Sequence, residues 1–334
     1  MSDNNVAVLG GGSWGTTVAS LVSRNCPVTL WARNPATVAE INEHHRNDTY
    51  LPGAELPEKL LATNDVGDAV HGADLVVMGI PSQHFRGVLH DVKPHIKPGT
   101  PVISLTKGLE LSTRMRMSEV IADVLPGHPP GVLTGPNLAR EISAGQVAAS
   151  VIAMDDEALV QDLQGVFKTA LFRVYTNTDV IGCELGGVLK NIVAIAVGMG
   201  DGQGAGDNTR AALITRGLAE ITRLGVAMGG RAETFAGLAG MGDLIATCIS
   251  PQSRNHHVGV QLGKGRDIEE IIDEMVMVAE GVKSAPAVLA LAEEHGVEMP
   301  IVRDVLRVIS GDATASRAFR GLLRVEFGAE SDPG

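Results

Sequence analysis

The stretch Val6–Val22, "VAVLGGGSWGTTVASLV", decides the fold of the N-terminal part of the chain. A short apolar run leads into Gly10-x-Gly12-x-x-Gly15, and residues with helical spacing follow. A glycine motif that closes a strand and opens a helix is typical of a dinucleotide-binding unit, because its backbone can approach a pyrophosphate at the helix N-terminus. A tight turn without a ligand is the alternative interpretation of the three glycines. We predict a Rossmann-type unit.

Apolar runs and helical patterns alternate through the first half of the chain. Most of the runs are continuously apolar, as expected for parallel strands that are buried on both faces. Strands are predicted at Asn5–Leu9, Pro27–Trp31, Leu75–Met78, Pro101–Leu105, Val132–Thr134, Ala148–Ala153 and Phe172–Tyr175. Helices are predicted between them at Thr16–Arg24, Ala36–Arg46 and Ser118–Val124. This order predicts an α/β domain with a mostly parallel sheet covered by helices.

After about residue 178 the strand patterns give way to long helical ones. Helices are predicted at Ile181–Met199, Thr209–Leu224, Ile268–Val278, Ala285–Glu294 and Ile301–Ile309. Asp207 or Asn208 is predicted to cap the second of these helices, and Ser284–Pro286 to begin the fourth. We therefore expect a Rossmann domain over residues 1–180 and an all-α domain over residues 181–334.

The composition limits the classes of partner. The chain has 334 residues, 44% of them hydrophobic, and a formal net charge of −12, so we expect a globular protein that binds neither nucleic acid nor an anionic membrane surface. Cys26, Cys183 and Cys248 lack the number and spacing of a disulfide framework or a zinc site. Reduced thiols, no metal and a cytoplasmic location are therefore expected. The sequence shows no secretory leader and no uninterrupted apolar run of membrane-spanning length, so no integral membrane segment is expected.

The end of the second predicted strand bears on the choice of dinucleotide. NAD sites usually place an Asp or Glu here, about 20 residues beyond the glycine motif, to bind the ribose 2′-hydroxyl. This chain has Ala32 and Arg33 instead. A guanidinium can pair with a 2′-phosphate through its planar fork, and the alternative is a solvated surface arginine. We expect NADPH as cofactor, alone or alongside NADH.

Two lysines stand at positions where ligands bind or where a charge is costly. Lys107 lies just beyond the predicted strand that ends at Leu105, at the edge where open α/β sheets bind ligands. Lys190 and Asn191 interrupt an otherwise apolar helical stretch, where a lysine is costly unless it is paired or functional. The alternatives are an exposed charge for Lys107 and a snorkelling structural lysine for Lys190.

A further polar cluster lies in "GLAGMGDLIATCISPQSRN", residues 237–255. Asp243 and Thr247 are four residues apart and share one face of a helix, from which Asp243 is expected to hold Lys190. The "SRN" of residues 253–255 combines hydroxyl, guanidinium and amide donors, as a phosphate site requires. An ordinary polar loop is the alternative for this segment taken alone.

Nine motifs follow one another along nearly the whole chain: "GGGSWGTT", "NDTYLPG", "SLTKGLE", "GPNLARE", "ELGGVLKNIVAIAVGMGDG", "NTRAALITRGLAE", "GLAGMGDLIATC", "SRNHHVG" and "VAEGVKSA". Together they resemble the NAD(P)-dependent glycerol-3-phosphate dehydrogenases of the bacterial biosynthetic type. The resemblance implies a Rossmann domain followed by a helical domain, and a cytoplasmic homodimer. It also implies NAD(P)H-dependent reduction of dihydroxyacetone phosphate to sn-glycerol 3-phosphate, the precursor of phospholipids.

The resemblance implies roles for individual residues. Lys190 is expected to be the catalytic acid and base, and Lys107 to lie between substrate and cofactor. The physical argument from charge and spacing adds that Asp243 orients Lys190 and that Thr247 assists by hydrogen bonding. The residues expected to bind the substrate are Lys107, Gly135, Asn137, Lys190, Asp243, Ser253, Arg254 and Asn255. Those expected to bind the cofactor, with the motif glycines included, are Gly10, Gly12, Ser13, Trp14, Gly15, Arg33, Tyr50, Lys107, Ala139, Arg254, Val278 and Glu280.

Some points stay open at this level. Asn137 stands where the family often has Ser or Thr, and the polar residue at Arg33 fits phosphate pairing but leaves the coenzyme preference open. A related dehydrogenase of a hydroxy acid or sugar acid is an alternative function, although the "SRN" cluster favours phosphate over carboxylate. A non-catalytic nucleotide-sensing module is another, and the presence of Lys107, Lys190 and Asp243 together counts against it.

Overall fold

The structure, a computed structural model, describes residues 4–275 and 279–322 of the chain. The chain divides into two compact units. The first comprises Met1–Glu110 with Met115–Val180, and the second comprises Leu111–Arg114 with Ile181–Gly334. No sequence pattern indicated that a segment as short as Leu111–Arg114 belongs with the second unit.

The first unit is built on one sheet of eight strands. In chain order they are β1 Val6–Leu9, β2 Val28–Trp31, β3 Leu61–Thr63, β4 Leu75–Met78, β5 Val102–Ser104, β6 Pro130–Thr134, β7 Ala148–Met154 and β8 Phe172–Asn177. Their order across the sheet is β3-β2-β1-β4-β5-β6-β7-β8, and all neighbours are parallel except β6 and β7. The predicted mostly parallel sheet is confirmed, and its first six strands have the Rossmann order.

Helices cover both faces of this sheet. They are α1 Ser13–Val22, α2 Pro35–His44, α3 Val66–Val70, α4 Ser82–Val92, α5 Met117–Val124, α6 Ala139–Ser143 and α7 Glu157–Phe167. Along β1, Val6 and Val8 belong to one apolar cluster and Ala7 and Leu9 to another, because successive side chains of a strand point to opposite faces. Burial on both faces explains why the central strands β1 and β4 are continuously apolar.

The sequence did not indicate β3. This strand has three residues, and only Ala62 in it is buried. So short a strand with one buried side chain shows neither a continuous apolar run nor a clear alternation.

The second unit is helical, and no strand occurs among its described residues, so the predicted all-α region is confirmed. Its helices are α8 Val180–Gly202, α9 Asp207–Ala227, α10 Ala232–Ala236, α11 Asp243–Ile249, α12 Arg254–Gly263, α13 Ile268–Asp273, α14 Glu280–Glu294, α15 Pro300–Ile309 and α16 Ala315–Leu322. A π-helical turn at Leu238–Gly242 leads directly into α11.

The longest helix, α8, has the length and apolar composition of a membrane span, the one such helix among the described residues. The search for uninterrupted apolar runs did not indicate it, because polar residues such as Lys190 interrupt its sequence. Within the structure, 94% of its most apolar window is buried. Helices that are apolar on all sides also form the cores of globular proteins.

The predicted cap of α9 is wrong. Gly206 is the N-cap residue of this helix and supplies no side chain, so neither Asp207 nor Asn208 caps it. Asp207 instead lies in the first turn, where its carboxylate accepts a hydrogen bond from Arg210 at 2.6 Å. A pair of opposite charges three residues apart on the helix surface replaces the expected cap.

The predicted start of α14 and the predicted end of α13 are also wrong. α14 begins at Glu280, and Ser284–Pro286 lies inside it, since a proline removes one backbone donor without necessarily ending the helix. α13 ends at Asp273, and Val278 lies outside the described residues.

Candidate active site

The glycine motif joins β1 to α1 at the carboxyl edge of the sheet. Gly10 has a φ of +126°, and a Cβ atom there would lie 2.4 Å from the carbonyl oxygen of Gly79, which follows β4. A Cβ atom on Gly15 would lie 2.0 Å from the Gly10 oxygen. Glycine is therefore required at both positions, where the loop passes between β1 and β4 at the point at which the strand order reverses.

The start of α1 fits the pyrophosphate of a dinucleotide. Gly12 is the N-cap residue, and no side chain caps the first N–H groups of the helix. A Cβ atom on Gly12 would meet no atom of the described residues within 4 Å. Open space therefore lies beside an uncapped helix N-terminus, and such an N-terminus attracts anions.

Trp14 braces the first turn of α1. Its indole packs against the apolar cluster on one face of the sheet, and its ring centroid lies 6.3 Å from that of Phe172 with the planes tilted by 58°. The Nε1 atom is buried and has no hydrogen-bond partner in the part of the chain that the structure describes. The packing explains how the side chain stabilises the loop, while its contact with a cofactor stays a prediction.

The segment that contains Tyr50 lies against the glycine loop. The Ser13 hydroxyl donates to the carbonyl oxygen of Tyr50 at 2.7 Å. Two other predicted cofactor residues also lie in this unit: Arg33 is exposed just after β2, and Ala139 begins α6 and packs against the same apolar cluster as Trp14. The structure thus joins Tyr50 to the loop directly and places Arg33 on the surface.

Hydrogen bonds tie together the loops that follow β4, β5 and β6. The Thr106 hydroxyl donates to the carbonyl oxygen of Ile80 at 2.6 Å. Lys107 Nζ donates to the carbonyl oxygen of Gly135 at 2.8 Å. The structure therefore brings Lys107 and Gly135, both predicted as substrate residues, into direct contact at the ligand-binding edge of the sheet.

Asn137 follows in the same loop, and a buried serine orients it. Its Nδ2 donates to Ser150 Oγ at 3.1 Å, and Ser150 in turn donates to the carbonyl oxygen of Thr134 at 2.7 Å. The Asn137 Oδ1 atom is buried without a partner among the described residues. A buried acceptor of this kind is suited to a donor that a ligand brings.

In the second unit, Lys190 forms a buried ion pair. Its Nζ donates to Asp243 Oδ1 and to the Thr247 hydroxyl, each at 2.5 Å. The exposed fraction is 5% for Lys190 and 1% for Asp243, so the two opposite charges face each other in a position that is almost closed to solvent. Thr247 donates back to the carbonyl oxygen of Asp243 at 2.6 Å, which fixes the hydroxyl as an acceptor toward the lysine. The adjacent Cys248 is unsuited as a nucleophile, because burial raises the pKa of its thiol to about 12.

The start of α12 carries the "SRN" cluster. Ser253 is the N-cap residue, and its hydroxyl accepts from the His256 N–H at 3.2 Å. Asn255 is buried and bridges two other helices, because its Nδ2 donates to Asn191 Oδ1 on α8 and its Oδ1 accepts from the Gly281 N–H on α14, each at 3.0 Å. This bridge connects the residue beside Lys190 to the residue beside Glu280.

Arg254 stands at the first position of α12 with a solvent-accessible side chain. Partial desolvation of its guanidinium nevertheless lowers the pKa from its usual value, and the Glu280 carboxylate opposes that shift. A partly desolvated cation at a helix N-terminus is a favourable partner for an anionic ligand.

Direct backbone contact positions α12 against α8. Gly198 and Gly202 on α8 face Gly259 and Gly263 on α12. A Cβ atom on Gly259 would lie 2.1 Å from the carbonyl oxygen of Ile195. Because small residues let two helices approach this closely, these four glycines pack the middle and the end of α12 directly against α8, the helix that carries Lys190.

Sequence reasoning assigned no role to several residues that the structure places beside the predicted ones. Asn191 was singled out as a polar residue, but its bond to Asn255 spans 64 positions, which no local pattern reveals. Asp201 accepts from Arg210 and contacts His256 Nε2 at 2.7 Å, so it ties α12 to α8 and α9. Asn47 lies within the quoted "NDTYLPG" motif, which was the available signal for it.

Two sequence profiles match the chain. The profile described as NAD-dependent glycerol-3-phosphate dehydrogenase N-terminus matches residues 5–160, and the profile of the C-terminus matches residues 179–320. The chain is 68% identical over 329 residues to a protein of Sphingopyxis alaskensis named glycerol-3-phosphate dehydrogenase (NAD(P)+) 2, covering 98% of this chain and 99% of the relative. It is 54% identical over 324 residues to a Mycobacterium avium protein named glycerol-3-phosphate dehydrogenase (NAD(P)+), covering 97% and 95% of the two chains.

Solved structures give the same result. The crystal structure of glycerol-3-phosphate dehydrogenase from Coxiella burnetii is 39% identical, with a TM-score of 0.91 over 97% of this chain and 99% of that one. A ketopantoate reductase from Ralstonia eutropha is 16% identical, with a TM-score of 0.61 over 94% of this chain and 99% of that one, and it shares the fold alone.

Proposed function

This chain belongs to the NAD-dependent glycerol-3-phosphate dehydrogenase family, and from that premise we propose how its own residues carry out the reaction. The protein is an NAD(P)-dependent glycerol-3-phosphate dehydrogenase, which interconverts dihydroxyacetone phosphate and sn-glycerol 3-phosphate. A bound nicotinamide dinucleotide supplies or accepts the hydride at C2 of the substrate. The protein must therefore move a proton at the C2 oxygen and hold the phosphate.

Lys190 is the proposed proton donor, and its buried contact with Asp243 is the observation that carries the proposal. During reduction the ammonium donates one proton to the C2 oxygen, which becomes the hydroxyl of the product. During oxidation the neutral amine accepts that proton. Asp243 and Thr247 hold Nζ in one orientation, and the Asp243 carboxylate stabilises the charged form, so the lysine enters reduction protonated.

Lys107 is the second proposed catalytic residue. Negative charge develops on the C2 oxygen before the proton arrives, and an ammonium near it stabilises that charge. The bond from Lys107 Nζ to the Gly135 carbonyl supports this role, because it fixes the direction of the side chain. Asn137 is proposed as a substrate contact on the strength of its buried Oδ1.

Arg254, with Ser253 and Asn255, is proposed to bind the substrate phosphate. The helix N-terminus and the guanidinium both favour an anion there. The residues proposed for the dinucleotide are Gly10, Gly12, Ser13, Trp14, Gly15, Arg33, Tyr50, Lys107, Ala139, Arg254, Val278 and Glu280. Among these, Arg33 is proposed to pair with a 2′-phosphate and so to permit the use of NADPH.

The wider role is also a proposal. We expect the product to enter glycerophospholipid synthesis, and we expect a cytoplasmic homodimer, as the family resemblance implies. Light scattering coupled to size-exclusion chromatography tests the dimer, because a monomer of 34.9 kDa and its dimer differ twofold in mass.

The deciding experiment is an initial-rate screen of the purified enzyme. Oxidation of NADPH and of NADH is followed with dihydroxyacetone phosphate and, in parallel, with 2- and 3-keto acids. Turnover with the phosphorylated ketone and none with the keto acids is the expected result. Turnover with keto acids alone supports the hydroxy-acid dehydrogenase alternative, and dinucleotide binding without turnover on any carbonyl compound supports a sensing module.

A further inference from the structure

Asn47 is a fully buried side chain that binds the glycine loop from outside it. It lies between α2 and β3 with an exposed fraction of 0%. Its Nδ2 donates to the carbonyl oxygen of Gly11 at 2.8 Å and to the Thr16 hydroxyl at 2.9 Å. One carboxamide thus contacts both the loop and the first turns of α1.

The chemistry of the partners fixes the orientation of this carboxamide. A backbone carbonyl oxygen only accepts hydrogen bonds, so the group that faces Gly11 must be the Asn47 nitrogen. The Oδ1 atom is then left buried, without a partner in the described part of the chain. A buried acceptor without a donor is costly, so the side chain is poorly chosen for stability alone.

Planarity of the peptide bond transmits this contact to the anion site. The Gly11 carbonyl and the Gly12 N–H belong to one trans peptide unit and point in opposite directions. Asn47 holds the carbonyl on its own side, so the Gly12 N–H is turned away from Asn47. Gly12 is the N-cap residue of α1, beside which the space is open.

A second hydrogen bond joins the same two segments. The Ser13 hydroxyl donates to the carbonyl oxygen of Tyr50, three residues beyond Asn47. The carbonyl oxygen of Asn47 accepts from the Leu51 N–H at 2.7 Å, which closes the turn that contains Tyr50. The segment 47–51 and the glycine loop are therefore held together at two points.

We propose that Asn47 is a positioning residue for dinucleotide binding, which fixes the Gly11–Gly12 peptide so that the Gly12 N–H is presented to the pyrophosphate. The proposal rests on binding of the dinucleotide at this loop. Both NADH and NADPH contain the pyrophosphate, so Asn47 serves the two cofactors equally. Arg33, by contrast, is proposed to act on the 2′-phosphate of NADPH alone.

The test measures dissociation constants of NADH and NADPH by titration calorimetry on the full-length enzyme. Asn47→Ala and the similarly branched Asn47→Leu, neither of which can donate to Gly11 at any pH, should raise both constants by the same factor, roughly fivefold to twentyfold for one lost hydrogen bond at the site. At saturating cofactor, kcat and the KM for dihydroxyacetone phosphate should stay unchanged. Arg33→Ala should raise the constant for NADPH only.

Asn42→Ala is the matched control. Asn42 lies five positions earlier and makes two hydrogen bonds to the backbone of Ala62 on β3, at 2.9 and 2.8 Å. Its loss should lower the melting temperature and leave both dissociation constants unchanged. If Asn47→Ala fails to fold, Asn47→Leu carries the test, since it fills the space of the carboxamide without adding a charge.

Three outcomes overturn the proposal: unchanged constants in folded Asn47 variants, a change for one cofactor only, or equal changes in the Asn42 control. Wild-type enzyme that binds neither NADH nor NADPH overturns the dinucleotide assignment instead, which separates the two failures.

Discussion

The glycine loop after β1 and the cluster around Lys190 are both polar sites in apolar surroundings, yet they are built from different parts of the chain. At the glycine loop the proposed contacts are mostly backbone groups, and close approach of glycines makes them accessible. In the second unit they are side chains whose charges compensate each other in the interior. Adding a Cβ atom to one of the glycines should therefore disrupt the glycine loop, whereas removing a charged group should disrupt the cluster around Lys190.

Removal of the Lys190 amine should have the largest effect of the variants that test this difference between the two sites. Lys190→Ala should lower kcat for dihydroxyacetone phosphate about 10²- to 10⁴-fold, the usual contribution of a general acid. The dissociation constant of NADPH, measured by calorimetry, should stay unchanged. Lys264→Ala removes another lysine of the same unit, at the exposed end of α12, and should keep full turnover.

The single variant also leaves the Asp243 carboxylate buried without its cation, which destabilises the fold. The double variant Lys190→Met with Asp243→Asn removes that charge and should regain stability without regaining turnover. Substantial turnover in Lys190→Ala contradicts the assignment of the proton donor.

Glu220 provides a second test, because a buried ionisable side chain makes the stability of the second unit depend on pH. Burial raises the pKa of Glu220 from about 4.5 to about 7, although its carboxyl accepts hydrogen bonds from the Ile301 and Val302 N–H groups at the start of α15. Between pH 4.5 and 7 the folded state holds a proton that the unfolded state has lost. The free energy of unfolding therefore falls as the pH rises through this window, by about 3 kcal/mol in all.

Glu220→Gln keeps an oxygen acceptor and cannot ionise. The difference in free energy of unfolding between this variant and the wild type, measured by urea denaturation from pH 4.5 to 8, should grow in favour of the variant as the pH rises. A difference that is constant over this range contradicts the raised pKa.

Gly259 is an exception to the difference between the two units. At this position the helical unit, like the glycine loop, depends on close contact between backbone atoms. Gly259→Ala places a Cβ atom against the Ile195 carbonyl and should cost about 1–3 kcal/mol of stability, since the two helices must separate. Gly165→Ala in α7 has no atom of the described residues within 4 Å of the new Cβ and should stabilise by about 0.5–1 kcal/mol. Chemical denaturation measures the free energy of unfolding of both variants. A change of the same sign in the two variants contradicts the proposed importance of the close contact at Gly259.

The sequence predicted the fold better than it predicted the contacts. All seven predicted strands appear in the structure, and burial on both faces gives the central ones, such as β1 and β4, a strong local pattern. The cap of α9 and the start of α14 were wrong, because both helices begin earlier than predicted, so Asp207 and Ser284–Pro286 lie inside them.

In the candidate site, the contact between Lys190 and Asp243 was expected and is present, while the roles of both residues stay proposals. The bonds of Asn47 to Gly11 and of Asn255 to Asn191 join positions 36 and 64 residues apart. Such pairings depend on how strands and helices meet in space, and a single sequence carries no local pattern for them.

Both tryptophans of the chain lie in the first unit, so the indole fluorescence of the protein arises there alone. Trp14 lies in the first turn of α1, and Trp31 ends β2, where its Nε1 donates to the Asn64 carbonyl at 3.1 Å. No tryptophan occurs between residues 181 and 334. Indole emission overlaps the absorption of reduced nicotinamide, so a reduced dinucleotide bound at the glycine loop, as proposed, should quench this fluorescence by energy transfer. Intrinsic fluorescence therefore reports on events in the Rossmann unit, while the proton transfer proposed for Lys190 would take place in a unit without an indole of its own.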